Sequence, residues 1–129
     1  MITTTPVSLE SSKHSTRRVL TLALTGTYVA GGDTLNLTAA GGPNTKGIDG
    51  FYDFSNSPDY AGNVNIPGLY KAEVIIGATP ATCKLKIYDL TTATQGELTN
   101  GAAYPAGLLA TTPPTSPVTV EIGHAKSNR

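Results

Sequence analysis

Residues 70–88 read YKAEVIIGATPATCKLKIY, and the reading of this stretch decides the fold. Tyr70, Ala72, Val74 and Ile76 alternate with Lys71, Glu73 and Ile75; after the connection GATPAT, Cys83, Leu85 and Ile87 alternate with Lys84, Lys86 and Tyr88. A period of two puts successive side chains on opposite faces, so each arm has one dry face and one wet face. Gly77 and Pro80 in the connection end a ladder and turn the chain. The stretch predicts an antiparallel β-hairpin.

The same period recurs on both sides of it. Leu20, Leu22 and Leu24 alternate with Thr21, Ala23 and Thr25, which predicts a strand beginning near Thr16. In TGTYVAGGDTLNLTA, residues 25–39, Gly31 and Gly32 separate Tyr28 and Val29 from Leu35 and Leu37. Two glycines accept positive φ, so a second hairpin is expected there. Downstream, Asn100-Gly101 is a strong turn pair, LLATTPPTSP reads as a stiff extended spacer, and Val118, Val120 and Ile122 alternate with Thr119 and Glu121 as a last strand. No segment sustains a period of 3.6, so little or no helix is expected. The expected fold is all-β, an antiparallel β-sandwich with Leu20, Leu22, Leu24, Leu35, Leu37, Val74, Ile76, Leu85, Ile87, Val118, Val120 and Ile122 facing inward.

A chain of 129 residues with 20 Thr, 14 Gly and 9 Pro suits one domain of strands and turns. That domain is expected over residues 16–123, with a polar, mobile tail at 124–129. Residues 1–15 show neither strand nor helix periodicity and contain Pro6. They read as an N-terminal arm, either a fraying terminus or an extended strap that orders on a partner. Residues 39–68 are the least regular part, and a connection of that length either carries function or hides short strands. Phe51, Tyr52, Phe54 and Tyr60 lie within it, as expected of a packed loop or a contact surface.

Several function classes fall away on composition. Nine basic and nine acidic residues cancel, leaving no field to draw in nucleic acid or an anionic membrane. No window resembles a membrane span or a secretory leader, and one cysteine makes no internal disulfide, so maturation in a cytoplasm is expected. The match of Asn36-Leu37-Thr38 to a glycosylation acceptor is then coincidental. There is no HExxH, CxxC or GxSxG, and GGPNTKG lacks the order that cradles phosphate. His14 and His124 lie near opposite ends and read as exposed polar residues, and Cys83 reads as a small buried hydrophobe. Asp49, Asp53, Asn56, Asp59 and Asn63 do not have the spacing of a helix-loop-helix calcium site. No catalytic, cofactor or metal site is expected, and the chain is read as not an enzyme.

The order of these pieces resembles the capsid cement or decoration proteins of tailed bacteriophages. The residues that carry the resemblance are TGTYVAGGDTLNLTA, AEVIIGATPATCKLKIYD, GELTNGAAYPAG and VTVEIG, which together span most of residues 25–123. They are patterns of turns and alternation, and no catalytic signature is among them. The resemblance implies a jelly-roll-like sandwich, a homotrimer, and a seat on the exterior of the virion head, where the protein bridges major capsid protein subunits. A small aliphatic core agrees with part of the stability coming from such an interface. Ile2, Val7 and Leu9 of the arm, and Phe51, Tyr52, Phe54 and Tyr60 of the long loop, are the expected contact residues: the arm through main-chain pairing, the loop through aromatic anchors. The alternatives are a phage tail or fibre accessory module that binds a receptor or glycan, and a small glycan hydrolase using Asp53 or Asp59 beside Tyr52 or Tyr60.

Overall fold

The structure, a computed structural model, describes residues 1–11, 15–37, 60–109 and 117–125. Among the described residues there are seven strands: β1 (Ile2–Ser11), β2 (Ser15–Leu24), β3 (Asp33–Leu35), β4 (Tyr60–Ala61), β5 (Tyr70–Ile75), β6 (Cys83–Asp89) and β7 (Thr119–Ala125). All pairings are antiparallel. One sheet is ordered β1-β2-β7, with the two-residue β4 added outside β7; the other is ordered β3-β6-β5. Among the described residues there is no α-helix, only single 3-10 turns at Pro80–Thr82 and Ala106–Leu108.

The two sheets share one core. Leu20, Leu22 and Leu24 of β2 meet Leu35 of β3, Cys83, Leu85 and Ile87 of β6, and Val118, Val120 and Ile122 at and within β7, with Tyr28, Leu37, Tyr104 and Leu108 filling the ends. Ten of the twelve residues expected to face inward are buried. The other two are on or just beyond β5. Val74 is half-buried, because β5 is an edge strand and lacks a neighbour on one side. Ile76 is 39% exposed: β5 ends at Ile75, so alternation no longer fixes the direction of the next side chain.

The predicted hairpin is present. Tyr70 pairs with Asp89 and Ile75 with Lys84, and Thr79 to Thr82 make the return, with the Thr82 N–H donating to Thr79 O at 3.0 Å and the Thr79 N–H to Thr82 Oγ1 at 3.1 Å. Gly77 is required by proximity, since a Cβ there would lie 2.5 Å from both Thr82 O and Thr82 Oγ1.

Three expectations are corrected. The turn at Gly31-Gly32 forms, with φ of 86° and 116° and the Gly32 N–H donating to Val29 O at 3.1 Å, yet the segments on its two sides do not pair with each other. Thr27 bridges to Ala103 and β3 pairs with β6, so the turn carries the chain from one sheet to the other. Residues 2–11 are not an arm extending from the domain but the strand β1, laid along β2 from Ile2↔Leu24 to Ser11↔Thr16. The main-chain groups of β2 need partners on that side, and a Thr-rich segment supplies them without any hydrophobic alternation to announce it. Residues 124 and 125 of the expected tail belong to β7, which runs to Ala125 and pairs His124 with Thr16, while residues 126–129 lie outside the described residues.

Candidate functional site

The expected contact residues are distributed over two opposite edges of one sheet. Ile2, Val7 and Leu9 are on β1, and Tyr60 is in β4, paired with Gly123. Two strands, β2 and β7, stand between them, a separation of three strand spacings, roughly 14 Å. Phe51, Tyr52 and Phe54 lie outside the described residues. Ile2 is half-buried and packs on the core, opposite buried Leu24, so it is a structural residue as much as a surface one. Val7 is 63% exposed. It is the extra residue of a bulge, since the register steps from Pro6↔Leu20 to Ser8↔Val19.

The phase of the β1 ladder follows from its first pair. The Thr25 N–H donates to Met1 O at 2.9 Å and the Met1 amine to Thr25 O at 2.6 Å, so 1 and 25 form a hydrogen-bonded pair. Antiparallel pairs alternate between bonded and non-bonded. Ile2, Thr4 and Pro6 before the bulge, and Leu9 after it, therefore aim their main-chain groups away from β2. No strand lies beyond β1 among the described residues. Pro6 sits where its missing N–H costs no ladder bond, the position in which an edge tolerates proline.

At the other side of the core, two tyrosine–carboxylate pairs cross between segments 28–33 and 97–104. The Tyr28 hydroxyl donates to Glu97 Oε1 at 2.6 Å, and the Tyr104 hydroxyl donates to Asp33 Oδ2. The two rings meet edge to face, 6.0 Å between centroids and 78° between planes, a favoured arrangement. Main-chain bonds run alongside: Tyr28 N–H to Ala102 O and Gly101 N–H to Tyr28 O, at 2.9 and 2.8 Å. Gly31 N–H reaches Glu97 Oε1 at 2.6 Å and Ala30 N–H reaches Asn100 Oδ1 at 2.9 Å. Asp33 Oδ2 also accepts from the Met1 amine at 2.9 Å. This clasp has a sheet-level cause. β3 covers β6 only from Cys83 to Leu85, so the next edge-facing N–H, at Ile87, needs another acceptor; it donates to the Tyr28 hydroxyl at 3.2 Å, and Ile87 O accepts from Leu98 N–H at 3.0 Å.

The electrostatics follow from burial and these bonds. Burial pushes the Tyr28 and Tyr104 hydroxyls well above their ordinary values, reinforced by Glu97 and Asp33 respectively. Burial alone would raise the Asp33 carboxyl; the Tyr104 hydroxyl, the Met1 amine and the Thr34 N–H outweigh it and hold Asp33 below the usual range. The Tyr28 hydroxyl, against a smaller opposing effect of burial and with help from the Gly31 N–H and the charge of Lys86, lowers Glu97. Sequence reading missed all four residues. One signal was available: Asp33 falls on the inward row with Leu35 and Leu37. Arg18 carries the same signal, standing in the row of Leu20, Leu22 and Leu24; it is 1% exposed, and burial lowers its pKa to about 10.

The remaining candidates have structural surroundings. Cys83 is buried, its Sγ within 3.5 Å of the Gly77 nitrogen. His124 lies in β7, and His14 is outside the described residues, as are Asp49, Asp53, Asn56 and Asp59. Among the described residues no three of His, Cys, Asp and Glu converge on a point. No described helix is long and apolar enough to cross a membrane. On the outer face of β5 and β6, the Tyr88 hydroxyl donates to Glu73 Oε1 at 3.1 Å and Lys86 Nζ stands 5.4 Å from the Tyr88 ring centroid.

The chain is thus of the all-β class, two antiparallel sheets around a common core with main-chain edges open to solvent. No protein family, curated protein or solved structure matches it.

Proposed function

We propose that this chain is a structural capsid cement or decoration protein of a tailed phage, one that binds the outer surface of the head and bridges major capsid subunits. The jelly-roll-like connectivity, the threefold assembly and the virion location implied by the resemblance belong to the same proposal. The observation that supports it is the ten-residue edge strand β1. Its outward main-chain groups at Ile2, Thr4 and Leu9, with exposed Val7 standing out at the bulge, offer short lengths of edge to a strand or loop of a neighbouring subunit. Each such contact is weak, and a lattice that repeats it many times makes attachment durable through avidity.

The test uses substitutions that spare the fold. Thr4→Pro removes an N–H that faces away from β2, and Val7→Asp puts a charge on the bulge. Both variants are expected to keep the far-ultraviolet dichroism of the parent and to lose occupancy on purified heads that lack the protein. Full occupancy by both variants would remove β1 as the contact. Failure of the unaltered chain to bind heads, with binding to tail fibres or to host glycan instead, would move the tail-module reading ahead.

A further inference from the structure

We infer that the edge of β5 pairs with β5 of a second copy of this chain, antiparallel across a twofold axis at Ala72. The four sheet edges differ in what they offer. β3 and β4 are three and two residues long, and β1 is interrupted by Pro6 and the bulge at Val7. β5 has six residues with neither proline nor bulge. Short strands, prolines, bulges and charged side chains, lysine above all, are the devices that protect an edge from pairing; of these β5 has only its charges, Lys71 and Glu73, and the register argued below turns them into attraction.

The phase of β5 is fixed by its surroundings. Leu90 N–H donates to Leu69 O at 3.0 Å, making 69 and 90 a bonded pair, while Ile87, opposite Ala72, spends its N–H on Tyr28 and its carbonyl on Leu98. By alternation Lys71, Glu73 and Ile75 bond to β6, and Ala72 and Val74 direct their N–H and C=O outward. The side chains of Tyr70, Ala72 and Val74 pack against the core but are only half-buried. An added strand would supply both the missing main-chain partners and the missing cover.

Charge selects a second copy as that strand, and it selects the register. An antiparallel self-pairing must be centred on one residue. Centring on Lys71 or on Glu73 sets that residue against its own copy, like charge opposite like. Centring on Ala72 makes two Ala72 residues a bonded pair on the axis and sets Lys71 of each copy opposite Glu73 of the other, twice. Centring on Val74 leaves Glu73 facing Ile75 and forms no ion pair. Lys71, Glu73 and Ile75 are all exposed, so the cross-copy ion pairs form on the solvent face, where opposite charges directly across a ladder favour pairing and like charges oppose it. The contact involves neither β1 nor a capsid, and a threefold assembly would have to use other surfaces.

Sedimentation of the purified chain from micromolar to sub-millimolar concentration tests this. The expected behaviour is a concentration-dependent association whose step through this edge is a dimer, with any threefold assembly adding to it through other surfaces. Lys71→Glu and Glu73→Lys should each weaken dimerisation about tenfold or more, since each turns two attractions into repulsions. Mixed in equal amounts, these two variants carry opposite charge at both positions and should form heterodimers of at least parental affinity. Both substitutions are on the solvent face and leave the main-chain ladder to β6 intact; because Glu73 faces Lys86 and accepts from the Tyr88 hydroxyl, Lys71→Glu, which keeps both of those contacts, carries the test if Glu73→Lys is destabilised. Ala72→Pro, which removes the N–H on the axis, should abolish the dimer. A parent that stays monomeric over the whole range overturns the inference, as does an oligomer of any size indifferent to the charge substitutions or a mixture that fails to associate.

Discussion

Tyr28 and Tyr104 illustrate how much one hydroxyl can hold. Tyr28 is donor to Glu97 and acceptor from Ile87, and Tyr104 shares Asp33 with the Met1 amine. Replacing either by Phe keeps the ring and strands a buried polar partner, a loss of about 1–3 kcal/mol. Urea unfolding of Tyr28→Phe and Tyr104→Phe is expected to show that loss at unchanged slope. The carboxylates make the clasp sensitive to acid. Asp33 and Glu97 both titrate below their ordinary values of 3.8 and 4.5 when folded. Each therefore contributes stability that is present above those values and is lost as pH falls through the lowered folded ones. An acid titration of the parent should show stability falling below about pH 4.5; in Tyr104→Phe the fall is shallower, because burial, which raises Asp33, is then opposed by fewer donors. At Gly77 the expectation is steric. Gly77→Ala has to displace the Thr82 carbonyl, so a loss of about 1–3 kcal/mol is predicted, read as a lower melting temperature.

The strands differ in how well the sequence announces them. β2, β5, β6 and β7 carry hydrophobic alternation because one face of each meets the common core, and a period of two needs only composition to be seen. β1 is visible only through its neighbour. Its residues are mostly Thr, Ser and Pro, and what makes it a strand is the row of β2 main-chain groups it satisfies, a tertiary cause that leaves no pattern of its own. β3 is announced by Leu35, while its partner, β6, is not. The Gly31-Gly32 turn is legible locally, but whether a turn closes a hairpin or changes sheets depends on which strand lies nearby. The clasp was illegible for a similar reason: Tyr28 and Glu97 are distant in sequence, and only the shortness of β3 brings a hydroxyl to Ile87. Amide exchange can check the ladder phases. In β1 the Thr3 and Thr5 amides should exchange slowly and Thr4 fast. At concentrations where the chain is monomeric, Lys71, Glu73 and Ile75 should be protected and Ala72 and Val74 open.

At the scale of the whole molecule, two sheets packed around an aliphatic core leave main-chain edges open among the described residues. The aromatic half of the expected contact surface, Phe51, Tyr52 and Phe54, lies outside the described residues, and Tyr60 is an edge residue on the far side of the sheet from β1. The proposed attachment therefore rests on β1. A β-module that adds short main-chain contacts to a repeated lattice gains little per copy and much in sum, which suits the mechanical role proposed for it. The most direct test is to mix the purified chain with purified tailed-phage heads that lack it, sediment the heads, and compare heat tolerance with and without the chain. The account predicts saturable binding at a fixed ratio to capsid subunits and heads that survive to higher temperature. Heads that sediment bare at saturating concentration, or that bind the chain without any gain in heat tolerance, would contradict it.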